Sequence, residues 1–447
     1  MQVAPTERSL RLWRGFWQIL HTANVILILA FWWRGTGSSL ADAPSVLTGL
    51  GRMTGLLAAY FILIQFFTIG RMPWLERAFG LDRLTRIHHR AGTLGYALLL
   101  FHPLLLLLGG ALSSRTGFLA QAALLLGVRE IAFAAFALAL FTVLIVTSIV
   151  FVRRNVRYEH WYLVHLMAYA ALLFAFFHQI RFGSDLRQQA FYAYWIALYA
   201  AILGSHLFFR FARPLLLFAR HRFTVERVVR ENHNTVSVTI TGSRLSRFRI
   251  LPGQFMVLRF LHRGLWWQAH PFSLSCLPND RHLRVTIKAL GDFTQRAGEI
   301  PVGTSVVIDG PYGIFTDRGD VTRNVLCIAG GIGITPIRPL FEQVLGQGRK
   351  AVLLYANRTA ADIVFAEELK AVAEASHARF IPIVSNEPAF PGEKGKLDAE
   401  KIRMLVPDVP EREVYLCGPL PMMEAVIAAL RSLGLPPEQL HYEKFEL

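Results

Sequence analysis

Apolar runs of roughly twenty residues recur six times in the first half of the chain, near 16–33, 50–70, 87–109, 131–152, 160–180 and 191–212. A helix of that length crosses the ~30 Å hydrocarbon layer of a bilayer, so the pattern predicts six transmembrane helices. Beyond residue 222 the period changes. Short alternating runs, among them 235–240 and 282–288, are bounded by Pro and Gly and predict a small β-barrel. From about residue 321, apolar runs at 325–329, 351–355 and 413–416 alternate with helical stretches, the first of these helices following Pro336, and predict an α/β fold with a parallel sheet. The expected fold is a membrane α-helical bundle of six transmembrane helices, then a β-barrel, then a Rossmann-like α/β domain. Its boundaries read as an N-terminal segment 1–15, a membrane domain 16–212, a basic linker 213–222, a barrel 223–320 and an α/β domain 321–447.

Composition agrees with two solvents for two halves. Of the 447 residues 53% are hydrophobic, and the mean hydropathy is +0.38. Up to Arg222 there are 21 Arg, no Lys and 7 Asp or Glu, so 21 − 7 = +14 of the formal +16 lies in the hydrophobic half. These arginines flank apolar spans instead of lining a face that could track phosphates, which argues against a nucleic-acid partner and for membrane lipid. Arg8, Arg11 and Arg14 precede the first span; Arg77, Arg83 and Arg86 follow the second; Arg153, Arg154 and Arg157 follow the fourth; Arg213, Arg220 and Arg222 follow the sixth. The positive-inside rule then puts both termini in the cytosol, in a plasma (inner) membrane. The first span lacks a small-residue cleavage site and reads as a retained helix. Cys276, Cys327 and Cys417 show no metal spacing and suit a reducing compartment.

The third span carries His88, His89 and His102, and the fifth carries His160, His165 and His178. Polar groups at membrane depth are costly and mark function. His88 and His102 are 14 residues apart, about 40° short of four turns and a rise of ~21 Å. His165 and His178 are 13 apart, a rise of ~20 Å with poorer angular alignment that a local bend absorbs. Two such helices clamp two stacked haems, with His88 and His165 as the inner axial pair and His102 and His178 as the outer. His89 is turned ~100° away, so His88 is favoured over it. The plainer alternative for any one of these histidines is a hydrogen bond to a backbone carbonyl.

In the polar half, His270-Pro271-Phe272-Ser273 offers a rigid Pro, a ring and a hydroxyl for an isoalloxazine edge. Lys288, Gly291 and Thr294 supply a cation, a close backbone approach and a donor for a pyrophosphate. Gly330, Gly331 and Gly333, with Thr335 and Pro336, join a strand to a helix and aim amide donors at a nucleotide phosphate. Cys417 follows another strand, 413–416, at the expected crevice; a buried small side chain is its alternative reading. Arg358, at the end of the 351–358 run, lies where the adenosine ribose is read and can pair with a 2′-phosphate, so NADPH is the expected donor.

Together these segments resemble the ferric reductase and NADPH oxidase superfamily, over nearly the whole chain. The resemblance rests on the His88 to His102 helix, Arg157-Tyr-Glu-His-Trp161 with His165 and His178, the His-Pro-Phe-Ser segment, Asp309-Gly-Pro-Tyr-Gly313, the 329–336 glycine loop and Cys417-Gly-Pro. It implies FAD as the flavin, two b-type haems on the same four histidines, and NADPH. It adds Arg52 near the outer haem, as a propionate or acceptor contact or simply an interface anchor, and Arg71 near the inner haem. It also adds Lys396 as a second basic residue for the nucleotide, where a solvated surface Lys is the alternative, and Phe445 as the aromatic that covers the flavin. Leu106 stands where animal oxidases have a second outer histidine, a departure that weakens oxygen as the evolved acceptor. No EF-hand motif precedes the first span, so calcium control is not expected. The implied function is transmembrane electron transfer from cytosolic NADPH through FAD and haem to O2, giving superoxide. A ferric-chelate reductase is the alternative, and a haem subunit feeding a periplasmic protein is the third reading.

Overall fold

The computed structural model describes residues 7–154, 158–317 and 320–444. Two compact units divide the chain: one comprises Leu12–Met72 and Leu81–Phe208, the other Pro73–Gly80 and the chain from Phe209 on, with the residues up to Arg11. They are called here the membrane unit and the redox unit.

The membrane unit is helical: α1 (Glu7–Thr36), α2 (Ala43–Thr68), α4 (Leu81–Ser114), α5 (Phe118–Leu126), α6 (Arg129–Arg154), α7 (Tyr158–His165), α8 (Met167–Phe182) and α9 (Gln189–Leu207), with the short α3 (Pro73–Phe79) counted in the redox unit. Six stretches among the described residues are long and apolar enough to span a membrane: Leu10–Thr36, Ala43–Thr68, Leu81–Ser114, Arg129–Ile149, Trp161–Phe182 and Gln189–His221. They match the six expected runs, and the last continues through a π-helical turn at Phe208–Ala212 into α10 (Arg213–His221), so the basic segment is helical.

Local chemistry sets the ends. Asp42 caps α2 by accepting from Ser45 N at 3.0 Å, and Ser45 Oγ accepts from Asp42 N at 3.1 Å; the bond holds the Asp42 carboxyl below its ordinary pKa. The α2–α4 pair packs through glycines in a constant antiparallel register: Gly109 faces Thr48, Gly51 faces Leu106, Gly55 faces His102, Gly95 faces Phe61 and Gly92 faces Gln65. Small residues of this kind let helices approach closely in lipid, where no hydrophobic drive pulls them together. The interior is filled by Tyr60, Leu63, Phe191, Trp195 and their neighbours.

In the redox unit, β1 (Thr224–Asn232), β2 (Thr235–Thr241) and β5 (His282–Lys288) form one antiparallel sheet. A second is built from β3 (Phe255–Phe260), β4 (His270–Ser273) and β6 (Val306–Tyr312). Bridges Thr224–Ser305 and Leu274–Val285 join the sheets around an apolar core that includes Val238, Leu258 and Val285. The small helix α11 (Asp292–Gln295) follows β5.

The remainder is a six-stranded parallel sheet of β7 (Val325–Gly330), β8 (Ala351–Asn357), β9 (Arg379–Val384), β10 (Glu393–Lys394), β11 (Glu413–Gly418) and β12 (Leu440–Lys444), with α12 (Ile334–Gly346), α13 (Ala366–Ala375), α14 (Ala399–Leu405) and α15 (Leu420–Ser432). The strand order is β10-β9-β8-β7-β11-β12. The direction of winding reverses between β7 and β11, and such a switch point opens the crevice where an α/β sheet binds its ligand. One expectation shifts. The helix placed after Pro336 starts at Ile334, because proline in a first turn gives up only an N–H that has no intrahelical acceptor.

Candidate functional site

The four candidate haem histidines meet two by two. The ring centroids of His88 (α4) and His165 (end of α7) are 6.2 Å apart, and those of His102 (α4) and His178 (α8) are 6.4 Å apart. With a metal–imidazole bond of about 2 Å and a nitrogen roughly 1 Å from its ring centre, two axial imidazoles on one ion have centroids about 6 Å apart. Both pairs meet that condition. His89 is exposed, whereas His88 is half-buried and faces His165. The helix is interrupted at Leu166, between His165 and His178.

Helix α2 orients the two α4 rings. His102 Nδ1 lies 2.7 Å from Gly51 O and His88 Nδ1 lies 3.4 Å from Gln65 O. A carbonyl only accepts, so Nδ1 carries the proton and Nε2 keeps its lone pair. The acceptors are 14 residues apart on α2, as the histidines are on α4, so one helix serves both heights. The Nδ1 atoms of His165 and His178 are buried without a hydrogen-bond partner. Close packing joins α2 to α4 and α6 to α8, while α4 and α8 make few backbone contacts among the described residues; the imidazoles reach across the space between them. No group of three or more metal-ligating side chains converges among the described residues. Two-ligand sites suit a haem, which brings four nitrogens of its own, so the residues fit the group.

Near the His102–His178 pair, Arg52 Nε donates to Asp185 Oδ2 at 2.8 Å and a second nitrogen binds Asp185 Oδ1. The Asp185 side chain is 5% exposed and that of Arg52 23%, so the cation beside Gly51 has a buried counter-charge. Sequence reasoning missed Asp185, which lies in the turn between α8 and α9 and follows no motif. It also missed the orienting role of α2, although the Gly51-x-x-x-Gly55 spacing signals a close helix contact. Arg71 is half-buried in the turn after α2, in a left-handed conformation (φ 55°). Leu106 packs at Gly51, one turn beyond His102.

In the barrel, β4 presents His270, Pro271, Phe272 and Ser273. The His270 ring lies 4.1 Å from the Phe293 ring and Phe272 lies 6.1 Å from it, which brings the His270–Ser273 segment against α11 and the Lys288–Thr294 segment. Ser273 Oγ is buried without a hydrogen-bond partner, an unusual state for a hydroxyl and one a bound flavin edge would relieve. Lys288 ends β5 half-buried. Gly291 is exposed and a Cβ there would meet nothing within 4 Å. The Thr294 hydroxyl accepts from Leu290 N at 2.8 Å and Gly291 N at 2.9 Å, so it shapes the turn. Arg213, unremarked as a site residue in the sequence, donates from α10 to Gly310 O at 2.6 Å and lies 3.7 Å from Asp309.

At the switch point Gly330 ends β7, Gly331 and Gly333 follow it, and Cys417, next to last in β11, lies opposite Ala329. A Cβ on Gly333 would strike the Cys417 carbonyl, and one on Gly330 would lie 2.9 Å from Pro419. These two glycines let the end of β7 and the loop that opens α12 lie close against the end of β11 and the turn after it. Gly331 has φ +49° and open space around it, which leaves it for a ligand. Thr335 Oγ1 donates to Ile332 O at 2.9 Å and Pro336 is buried in the first turn of α12. Cys417 is fully buried in the apolar core beside Cys327, Ala329 and Tyr415, and burial raises its thiol well above the ordinary value, so it is a neutral small side chain there. Arg358 and Lys396 are both exposed beyond the ends of β8 and β10, the two strands that flank β9. Phe445 lies outside the described residues.

This geometry defines a class: a multi-pass membrane oxidoreductase with flavin and nicotinamide modules. Comparison with known proteins agrees. The family described as "Ferric reductase like transmembrane component" matches residues 54–176, "FAD-binding domain" matches 226–316, and "Oxidoreductase NAD-binding domain" matches 327–427. In that order they make the ferric reductase and NADPH oxidase architecture, and this chain has it.

The curated relatives include the ferredoxin reductase component of 3-ketosteroid-9-alpha-monooxygenase from Rhodococcus rhodochrous, 31% identical over 229 residues, covering 50% of this chain and 64% of that protein. The electron transfer component of toluate 1,2-dioxygenase from Pseudomonas putida is 29% identical over 236 residues, covering 51% and 68%. The chain thus spans just under two thirds of the length of the first of these. Among solved structures, the FAD/NAD-binding domain of nitric oxide dioxygenase from Vibrio cholerae O1 biovar El Tor is 24% identical, covering 50% of this chain and 97% of that one with a TM-score of 0.46.

Proposed function

We propose that the protein carries electrons from NADPH through FAD and two bis-histidine b haems to an acceptor on the far side of a plasma (inner) membrane, and that this acceptor is O2, giving superoxide. The observation that carries this reading is the pair of facing imidazoles at each of two heights, 6.2 and 6.4 Å between centroids. When bound, the nicotinamide supplies a hydride, the flavin divides that electron pair, and the haems pass single electrons on.

The chain's own part is placement. His88 and His165 would hold the inner haem, and His102 and His178 the outer. Each haem would be held by two histidines, so the acceptor would take its electron without binding the iron. Arg71 would stand by the inner haem and Arg52 by the outer. His270, Pro271, Phe272 and Ser273 would hold the flavin edge, and Lys288, Gly291 and Thr294 its pyrophosphate side. The 330–336 loop would take the nicotinamide nucleotide, with Arg358 and Lys396 on its 2′-phosphate and Cys417 at the nicotinamide. Phe445 would cover the flavin. Both termini would be cytosolic, with domain boundaries at 15, 212, 222 and 320.

Asp185 supports a neutral acceptor. It compensates the Arg52 charge and so removes the attraction an anionic ferric chelate would feel. Leu106, in the place of a second outer histidine, keeps ferric-chelate reduction as the second reading. NADPH consumption by purified protein, followed with and without O2, with superoxide dismutase and then with ferric citrate, separates them. Oxygen-dependent consumption with dismutase-sensitive dye reduction is expected. Consumption that requires ferric citrate and ignores O2 would assign the second.

A further inference from the structure

One cluster in the redox unit belongs to neither nucleotide site. The guanidinium carbons of Arg284 and Arg338 lie over the ring of Phe365, 4.5 and 4.7 Å from its centroid. Two cations on one ring repel each other, and Glu368 offsets that repulsion. Its carboxylate takes Arg284 Nη1 at 3.3 Å on both oxygens and binds Arg338 Nη2 as well. Arg338 Nε also pairs with Glu342 at 2.7 Å. Phe365 is 5% exposed and Arg338 7%, so the stack is shielded from water, where cation–π attraction is strongest.

The backbone shows that the ring is kept against local preference. Phe365 has φ +63°, in the left-handed region that glycine enters freely and a bulky side chain does not.

Each member stands on a different element. Arg284 is on β5 of the barrel, and its Nη2 donates to Ser275 O at 2.9 Å, two residues after Ser273 of the flavin segment. Arg338 is on α12, directly beyond the glycine loop, and Phe365 and Glu368 open α13. The cluster therefore ties the flavin segment to the helix that begins at the nucleotide loop.

We infer that Arg284, Phe365, Arg338 and Glu368 form a clasp that fixes the barrel against the α/β sheet and so sets the distance over which the nicotinamide meets the flavin. They are positioning residues, and the inference rests on reading the barrel as the FAD module and the sheet as the NAD(P)H module. A misplacement of about 1 Å between reacting groups costs roughly a hundredfold in rate, so a loosened clasp acts on the rate of flavin reduction more than on nucleotide affinity. The exposed contact between the same two parts, His233 with Asp362 at 3.9 Å, has no such burial and serves as the control.

The test uses the full chain loaded with FAD: wild type, Phe365→Leu, Phe365→Gly, Phe365→Tyr, Glu368→Gln and His233→Ala. Flavin reduction by saturating NADPH is followed by stopped flow, and hydrogen exchange is followed in 281–288 and 334–345. Phe365→Gly suits the backbone and removes the ring, and Phe365→Leu keeps apolar bulk without a π face. Both should slow flavin reduction by about ten- to a hundredfold with little change in half-saturation, and raise exchange in both segments together. Glu368→Gln should do the same more weakly and stands in if the Phe365 variants fail to fold, while Phe365→Tyr and His233→Ala should match wild type. A folded, FAD-loaded Phe365→Leu protein with wild-type reduction rate and exchange would overturn the clasp. Coupled exchange changes in a wild-type background that reduces no flavin with NADPH or NADH would instead overturn the nucleotide reading.

Discussion

The two units build their candidate sites by opposite means. In the membrane unit four histidines stand at fixed heights on two lines of helix, and their separation follows from residue spacing alone. In the redox unit the site gathers strand ends and loops from 270 to 417, and only the sheet order makes neighbours of Gly330 and Cys417. Packing differs in the same way. Glycines set the distance between α2 and α4, whereas the α/β sheet is held by a dense apolar core in which Leu326, Ile328 and Leu416 are fully buried. A site on a rigid rod is specified locally, and a site at a crevice is specified by the whole fold.

The largest effect that would break this comparison is a separation of the units by one substitution. His102→Ala or His178→Ala should abolish reduction of the external acceptor, while flavin reduction by NADPH continues at the wild-type rate. Loss of flavin reduction in the same folded variants would show that the sites are not independent.

Gly55→Ala should come next. A Cβ there meets the His102 ring, so the ring must move and release Gly51 O. Overpacking of this kind costs about 1–3 kcal/mol, and it should shift the midpoint potential of one haem or lower its occupancy. Gly204→Ala, with nothing within 4 Å, should be silent. Equal potentials in both variants would remove α2 from the account.

Selectivity for the nucleotide should fall by about ten- to a hundredfold in Arg358→Ala, the value of one charge-assisted hydrogen bond. The measurement is kcat/KM for NADPH against NADH. Wild type indifferent to the 2′-phosphate would show that Arg358 does not read it.

Alkaline pH should produce the smallest effect, confined to the redox unit. Burial pushes the Cys276 thiol up to about 12 and raises Cys417 as well. The unfolded chain then releases these protons first, so stability is fully present below the ordinary thiol value and declines as pH rises beyond it. Denaturation of the redox unit should begin to ease above pH ~9, and Cys276→Ser should flatten that slope.

Much of the membrane site was legible because helix geometry is stiff. The 14-residue interval singled out His88 and His102 on one side of α4, and the interruption at Leu166 falls inside the 13-residue interval. Asp185 was not legible, since its pairing with Arg52 joins residues 133 positions apart with no spacing rule between them. The glycine loop and the ends of β7 and β11 could be read from strand–turn–helix order. Arg284, Arg338, Phe365 and Glu368 could not, because their meeting depends on how barrel and sheet dock. Phe365 in particular reads as an ordinary core residue until its φ is known.

The central claim is that the membrane unit carries two haems on four histidines. Counting haem b against FAD in the purified wild-type protein, with the low-temperature spectrum of the oxidised iron, tests it most directly. About two low-spin haems per flavin are expected from two complete axial pairs. One haem per flavin, or a high-spin signal showing an open iron position, would contradict it.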